Sequence, residues 1–403
     1  MRVAYLSTNP SIDLEKPGGP RAHILGTIQG MEGNGLEVQR FFASDFISNP
    51  PRVSQPNTKA TLAPARRSKL RLILSDLKRL VQCWSLDDEV EKALDAYQPD
   101  VIYERSWLFS FAGVRYAKKH QIPLFLETSG CEAEITATAY GISNVWLANT
   151  LDAFKFRFGY AVVTQSVNSI ESTKRKFRVR VPVIAKPIGF EASTETSVEA
   201  YPNNELIEFK KRFSIIVGFV GTFGVYQGPD FLMQVIEAMD SQHKEIGFLL
   251  IGGGGKQHEC VQFAEKKQLK NVFFTGMVKP DSIASWLRAC DLTFVPDCDP
   301  HMSPIKVLEY GAYGKPVAVP DYDAFNGLIT EGETGRRFKA LNVKSAVDAL
   351  MILADAPSEI ERMGTRIQHL ITDQFSLAKV VEPLVDTMKQ SCKKNDETHH
   401  PHQ

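Results

Sequence analysis

Short apolar runs alternate along the chain with longer stretches whose apolar positions recur at helical spacing. Runs at 3–6, 38–42, 101–103, 124–126 and 161–163 read as buried strands, and 22–33 and 113–120 as helices between them. Such alternation predicts a parallel sheet covered by helices on both faces. The pattern then restarts. A strand at 214–220 is followed by a glycine-rich turn, a helix from about Pro229, and further strands at 248–251, 272–275, 292–295 and 316–319. Between the halves, 191–204 is polar, contains proline and has no periodicity, as a linker does. The expected fold class is α/β, with two doubly wound Rossmann-like domains, 1–190 and 205–375, facing a central cleft. A helix at 376–391 is expected to pack back on the first domain, and 392–403 to form a disordered tail containing His399, His400 and His402. Sheets of this kind bind ligands at the carboxyl ends of their strands.

Two segments break the pattern. Residues 48–67 carry four prolines and little apolar content, which predicts a mobile loop. The next stretch, 66–84 (RRSKLRLILSDLKRLVQCW), interleaves leucines and Ile73 with Arg66, Arg67, Lys69, Arg71, Lys78 and Arg79. Two readings stay open: a solvated helix packing its leucines on the domain, or a basic helix lying on an anionic membrane surface. A second basic cluster occupies 172–180.

Composition narrows the class. In 403 residues, 47 basic side chains balance 47 acidic ones, which removes any whole-chain attraction to nucleic acid. With 43% hydrophobic and 23% charged residues, each half can bury a core. The six cysteines form no Cys-x-x-Cys pair, against a structural zinc site and in keeping with a reducing compartment. The N-terminus reads as a first strand and not a signal peptide, and no run approaches the roughly 18 apolar residues of a membrane span. The expectation is a soluble cytoplasmic protein.

The most informative segment is 301–320, HMSPIKVLEYGAYGKPVAVP. Ser303 suits a helix N-cap and Pro304 the first helical position. Lys306 then falls in the first turn, unfavourable for a cation unless an anion binds there; a diphosphate would supply one. Glu309 projects from nearly the same face, placed to accept from ribose hydroxyls. An ordinary capped helix with solvated Lys306 and Glu309 is the alternative on spacing alone. The turns GTFGVYQG (Gly221, Thr222, Gly224, Gln227, Gly228) and IGGGGK (Gly252, Gly253, Gly254) each follow a strand. Neither has dinucleotide or P-loop spacing, so each is either a phosphate-approaching turn or a plain strand-to-helix turn. A third turn, Gly18-Gly19, precedes His23. His120, at a helix end, reads as structural.

In this order the residues resemble the retaining glycosyltransferases of the B fold, family 4 (glycosyl transferases group 1). The matching features are Gly18, Gly19 and His23 after strand one, the Gly-x-x-Gly turn at Gly221–Gly224, and the strand ending in Gly252 and Gly254. The segment 271–278, the Ala-x-Asp at 289–291 and SPIKVLEYGAYGKPV at 303–317 complete the set. The resemblance spans most of the chain and is strongest over 214–340. Two positions depart from it: His301 stands where the family usually has an acid, and Gln227 where it has a lysine.

The resemblance implies transfer of a hexosyl group from a nucleotide-diphosphate sugar to a hydroxyl acceptor, a glycan or lipid-linked glycan, with retention of configuration. Gly276, Met277 and Val278 would lie near the base and Glu309 at the ribose. Ser303, Pro304, Ile305 and Lys306 would meet the diphosphate, with Gly221, Thr222, Gly224, Gln227, Gly252 and Gly253 lining the donor site. Gly18, Gly19 and His23, with Arg105 and Glu127, would hold the acceptor. Lys306, His301 and His23 are the catalytic candidates. No cofactor is expected. The Asp-x-Asp spacing of Asp297 and Asp299 is noted, but a metal-independent reaction is favoured. Alternatives are a nucleotide-sugar 2-epimerase of the same fold and a non-catalytic sugar-nucleotide binding module, the latter motivated by Gln227 and His301. Relatives that act on lipid-linked acceptors give the 66–84 segment a second rationale as a peripheral contact with the inner face of a membrane.

Overall fold

The computed structural model describes residues 1–9, 12, 14, 19–46, 69–139, 141–167, 169–192, 204–242, 245–279, 282–298 and 304–399. The chain forms two compact units, one running to Ile188 and resuming at Leu377, the other Gly189–Ser376.

The first unit holds six parallel strands: β1 (Arg2–Ser7), β2 (Glu37–Phe42), β3 (Val101–Arg105), β4 (Leu124–Thr128), β5 (Ala161–Thr164) and β6 (Val183–Ala185), in the order β2-β1-β3-β4-β5-β6. The central strands are buried on both faces, which is why they read as continuous apolar runs. Leu6 lies beside Glu104, and Arg105 beside Glu127. The order reverses between β1 and β3, and ligands of such sheets bind beyond the carboxyl ends at that reversal.

The second unit repeats the plan with β7 (Ile215–Val220), β8 (Ile246–Ile251), β9 (Val272–Phe274), β10 (Leu292–Phe294), β11 (Val317–Pro320) and β12 (Gly335–Phe338). Its order is β12-β11-β10-β7-β8-β9, reversing between β7 and β10. Phe219, Phe223, Phe248, Phe294 and Phe338 pack at the centre of its core. Both sheets gain a strand that the apolar pattern did not announce. β6 is three half-buried residues, and β12 (GRRF) carries two arginines.

The terminal helix, Leu377–His399, lies along the first helix, Gly19–Gly33, where Gly26 and Gly30 leave room for Leu377 and Val381. Asn34 closes the contact by donating to the Ala378 carbonyl at 2.9 Å. The helix does not stop at 391 but continues to His399, so the disordered tail expected from 392 is corrected over those residues. The sequence there has no glycine or proline to end a helix, and the Cys392 thiol reaches the Asp100 carbonyl.

The long helix Lys69–Tyr97 divides into two halves. Leu86, Val90 and Leu94 enter the core, and Cys83 joins a second apolar cluster with Ala148 and Ile142. Leu70, Ile73, Leu74, Leu77 and Val81 instead face solvent, each 46% exposed or more. Leu72, against Gly141, and Leu80, in the second apolar cluster, do pack on the domain, so the packed-leucine reading holds for them and not for these five. The loop expected at 48–67 falls outside the described residues.

Candidate active site

In the second unit three turns meet at the carboxyl ends of β7, β8 and β9. Gly221 donates to the Ile251 carbonyl at 2.9 Å, and Lys256 to the Phe223 carbonyl at 2.9 Å. Gly252, at φ +112°, passes so close to the Gly221 carbonyl that any side chain would collide with it. Gly252 also forms an antiparallel bridge with Gly276, and its N–H donates to Thr275 Oγ1 at 3.0 Å. Gly253 lies against the Met277 backbone, and Met277 itself is exposed. The structure therefore brings together Gly221, Thr222, Gly252, Gly253, Gly276 and Met277, with Val278 following. Gly224 opens a single 3-10 turn, Val225–Gln227, and Gly228 closes it against Asp297 at the end of β10. That contact places the glycine turn at the strand-order reversal.

Gln227 points inward. Its Oε1 accepts from the Thr222 N–H at 3.0 Å, so it caps the glycine turn and occupies one backbone donor expected to face phosphate. The 221–228 turn itself carries no cation. Positive charge comes from Lys306 on the helix Ile305–Ala312, whose ammonium sits 4.4 Å from the centre of the Phe219 ring on β7. Tyr310 fastens this helix to the same strand, its hydroxyl accepting from the Val220 N–H at 2.9 Å. Among the described residues no side chain caps the helix, and it begins at Ile305, one residue later than expected, with Pro304 just outside the helical region. Val307 in its first turn donates to the Pro304 carbonyl at 2.9 Å, and the helix start turns the positive end of its dipole outward, which suits an anion.

Lys306 and Glu309 are both half-buried, and no salt bridge joins them among the described residues. Burial pushes the Lys306 ammonium down to about 8, against the partial support of Glu309. Burial pushes the Glu309 carboxyl up to about 7, against the pull of Lys306. Two ionisable groups on one helix, both pushed toward neutral pH by burial, make this a functional-site candidate. Gly18, His301, Ser303 and Asp299 lie outside the described residues. Asp297 accepts from the Tyr322 hydroxyl at 2.8 Å.

The first unit carries its own cluster, at its strand-order reversal. Strand alternation turns Tyr103, Arg105 and Glu127 toward the first helix, which begins at Gly19. Glu127 is the hub: His23 Nε2 donates to its Oε1, Tyr103 donates to Oε2 at 2.9 Å, and Gln165 reaches Oε1 at 3.4 Å. Arg105 stands 3.7 Å from the same carboxylate. Burial alone would raise Glu127, but His23, Lys186 and Arg105 together hold it well below the usual carboxylate range. His23, Arg105 and Glu127 are the residues named from sequence. Tyr103, Thr27, Gln165 and Lys186 were missed, and the available signal was a lysine ending the apolar run PVIAKP.

Residues 214–356 match the family model of the glycosyl transferases group 1. The phosphatidyl-myo-inositol mannosyltransferase of Mycobacterium leprae is 23% identical over 353 residues, 84% of each chain. The alpha-D-kanosaminyltransferase of Streptomyces kanamyceticus is 22% identical over 188 residues, 45% of this chain, which spans about half (48%) of that relative's length. The crystal structure of Anabaena HepE in complex with UDP superposes with a TM-score of 0.62 at 14% identity, over 97% of this chain and 100% of that one. The fold is the glycosyltransferase B fold.

Proposed function

We propose that this protein is a retaining glycosyltransferase that moves a hexosyl group from a nucleotide-diphosphate sugar to a hydroxyl acceptor in polysaccharide or glycolipid synthesis. The observation that carries the reading is the half-buried Lys306–Glu309 pair, set beside the glycine turns at the start of the helix Ile305–Ala312. As the donor's glycosidic bond breaks, negative charge grows on the departing diphosphate. Lys306 and the positive end of its helix stabilise that charge where it develops, and Glu309 accepts from the ribose. His23 and its Glu127 hub serve the acceptor end. HepE binding UDP on the same fold supports a nucleotide donor, and the mannosyltransferase relative supports a lipid-linked acceptor. No step calls for a metal in this reading, so a chelator leaves turnover unchanged.

A peripheral contact with the inner face of an anionic membrane, through 66–84, belongs to the same proposal. No helix among the described residues is long and apolar enough to cross a membrane. The exposed aliphatic face of the long helix, with Arg71 and Lys78 also exposed, supports lying on one instead.

Product analysis tests the function. With a nucleotide sugar and a membrane extract, a glycosylated acceptor and free nucleoside diphosphate are expected, with the donor's anomeric configuration kept. An epimer or free sugar formed from donor alone would make the chain an epimerase. Binding without any product would make it a binding module.

A further inference from the structure

One ionisable side chain of the acceptor-end cluster has no part in the transfer described above. Lys186, directly after β6, is 2% exposed, and its ammonium donates to Thr27 Oγ1 at 2.9 Å. The Thr27 hydroxyl in turn donates to the His23 carbonyl at 2.7 Å. A buried ammonium is costly, and a single threonine hydroxyl does not offset that cost. Burial pushes the Lys186 ammonium below its ordinary value, and the Glu127 carboxylate, the group to which His23 donates, offsets that in part.

We propose that Lys186 is a positioning residue for His23: through Thr27 it pins the helical turn that carries His23, and its charge balances Glu127 so that the imidazole stays a neutral donor–acceptor. An ionised carboxylate can only accept, so the His23 proton resides on Nε2 and Nδ1 is left as the ring's acceptor. Two contacts then fix the residue, one at its carbonyl and one at its ring. The electrostatic balance follows from the neighbours. Burial pushes His23 below its ordinary value, Glu127 pulls it up, and Lys186 and Arg105 push it down. Those groups face His23 from β3, β4 and the end of β6. Without Lys186, the Glu127 charge would draw a second proton onto the ring and remove its acceptor. The inference rests on the reading that the His23 cluster serves the acceptor.

The test is a titration of the His23 imidazole by NMR in the full chain, parent against Lys186→Met and Lys186→Gln. Both variants should show the His23 midpoint raised by about one pH unit, the size of effect a neighbouring charge exerts in a buried site. The acid limb of the kcat/KM profile should move up with it. Thr27→Val, which keeps the charge and cuts the tether, should lower kcat while leaving the His23 midpoint in place. An unchanged midpoint in whichever Lys186 variant folds overturns the proposal. His23→Ala separates the two claims: transfer at the parent's rate would remove His23 from the acceptor site, whatever the Lys186 titration shows.

Discussion

Glu104 and Arg105 are neighbours on β3, yet they open onto opposite faces of the first sheet. Arg105 joins the Glu127 cluster, while Glu104 is buried with Asp87, Asp152 and Lys155 behind the sheet. Among the described residues no side chain donates to either Glu104 oxygen, and the Gly113 backbone lies against the carboxylate. Burial raises its carboxyl to about 7 from an ordinary 4.5, with Lys155 opposing and Asp87 and Asp152 adding to the rise. The folded chain therefore holds this proton where the unfolded chain releases it. The resulting stability is complete below pH 4.5 and is lost as pH rises through 7. Glu104→Gln, neutral at every pH, should melt close to the parent at pH 5 and above it at pH 8. Equal differences at both values would show that Glu104 is not the titrating group. Legibility at this scale follows local context. Lys306 and Glu309 were readable because a Ser-Pro start fixes their place in a helix. Lys186 was not, because its partners Thr27 and Glu127 come from elements far away in sequence.

The helix Lys69–Tyr97 shows how much an element's sequence leaves open. Its periodicity marks a helix, but leucines recur on two faces, and only the fold decides which one the sheet covers. The exposed face carries Leu70, Ile73, Leu74, Leu77 and Val81, and on the helix Val145–Phe156 Trp146 and Leu147 are exposed as well. An apolar face flanked by basic side chains suits an anionic bilayer, where each Lys or Arg contributes about 1 kcal/mol. Charge alone and insertion predict different behaviour. Co-sedimentation with anionic vesicles should fall as salt rises, since exposed charges are screened within about 10 Å at 0.1 M. Replacing Ile73, Leu74 and Leu77 by serine should abolish it even at low salt. Binding that survives those three substitutions, or a parent protein that stays in the supernatant, would rule out insertion of this face. The helix Ile305–Ala312 was the most legible element, although its start moved by one residue. Pro304 fixes where a helix can begin without fixing its own conformation.

For the whole molecule, two α/β domains followed from the restart of the strand–helix pattern. Strand order did not, because it is set by crossovers that single runs do not encode. That order matters, since it puts the reversal of each sheet where a cluster of polar groups lies: the β1–β3 edge with Arg105, beside Glu127 on β4, and the β7–β10 edge with the Gly228–Asp297 contact. The central claim is that the second of these holds a nucleoside diphosphate against Lys306 and Glu309. Its most direct test is a thermal-shift screen of the parent and of Lys306→Ala and Glu309→Ala against UDP, GDP, ADP and TDP and their sugars. A ligand that binds only the folded state at 100 times its Kd stabilises it by about 2.7 kcal/mol. One nucleotide series should therefore raise the parent's melting temperature by several degrees and fail to raise that of either variant. No shift with any nucleotide, or equal shifts in parent and both variants, would contradict the account.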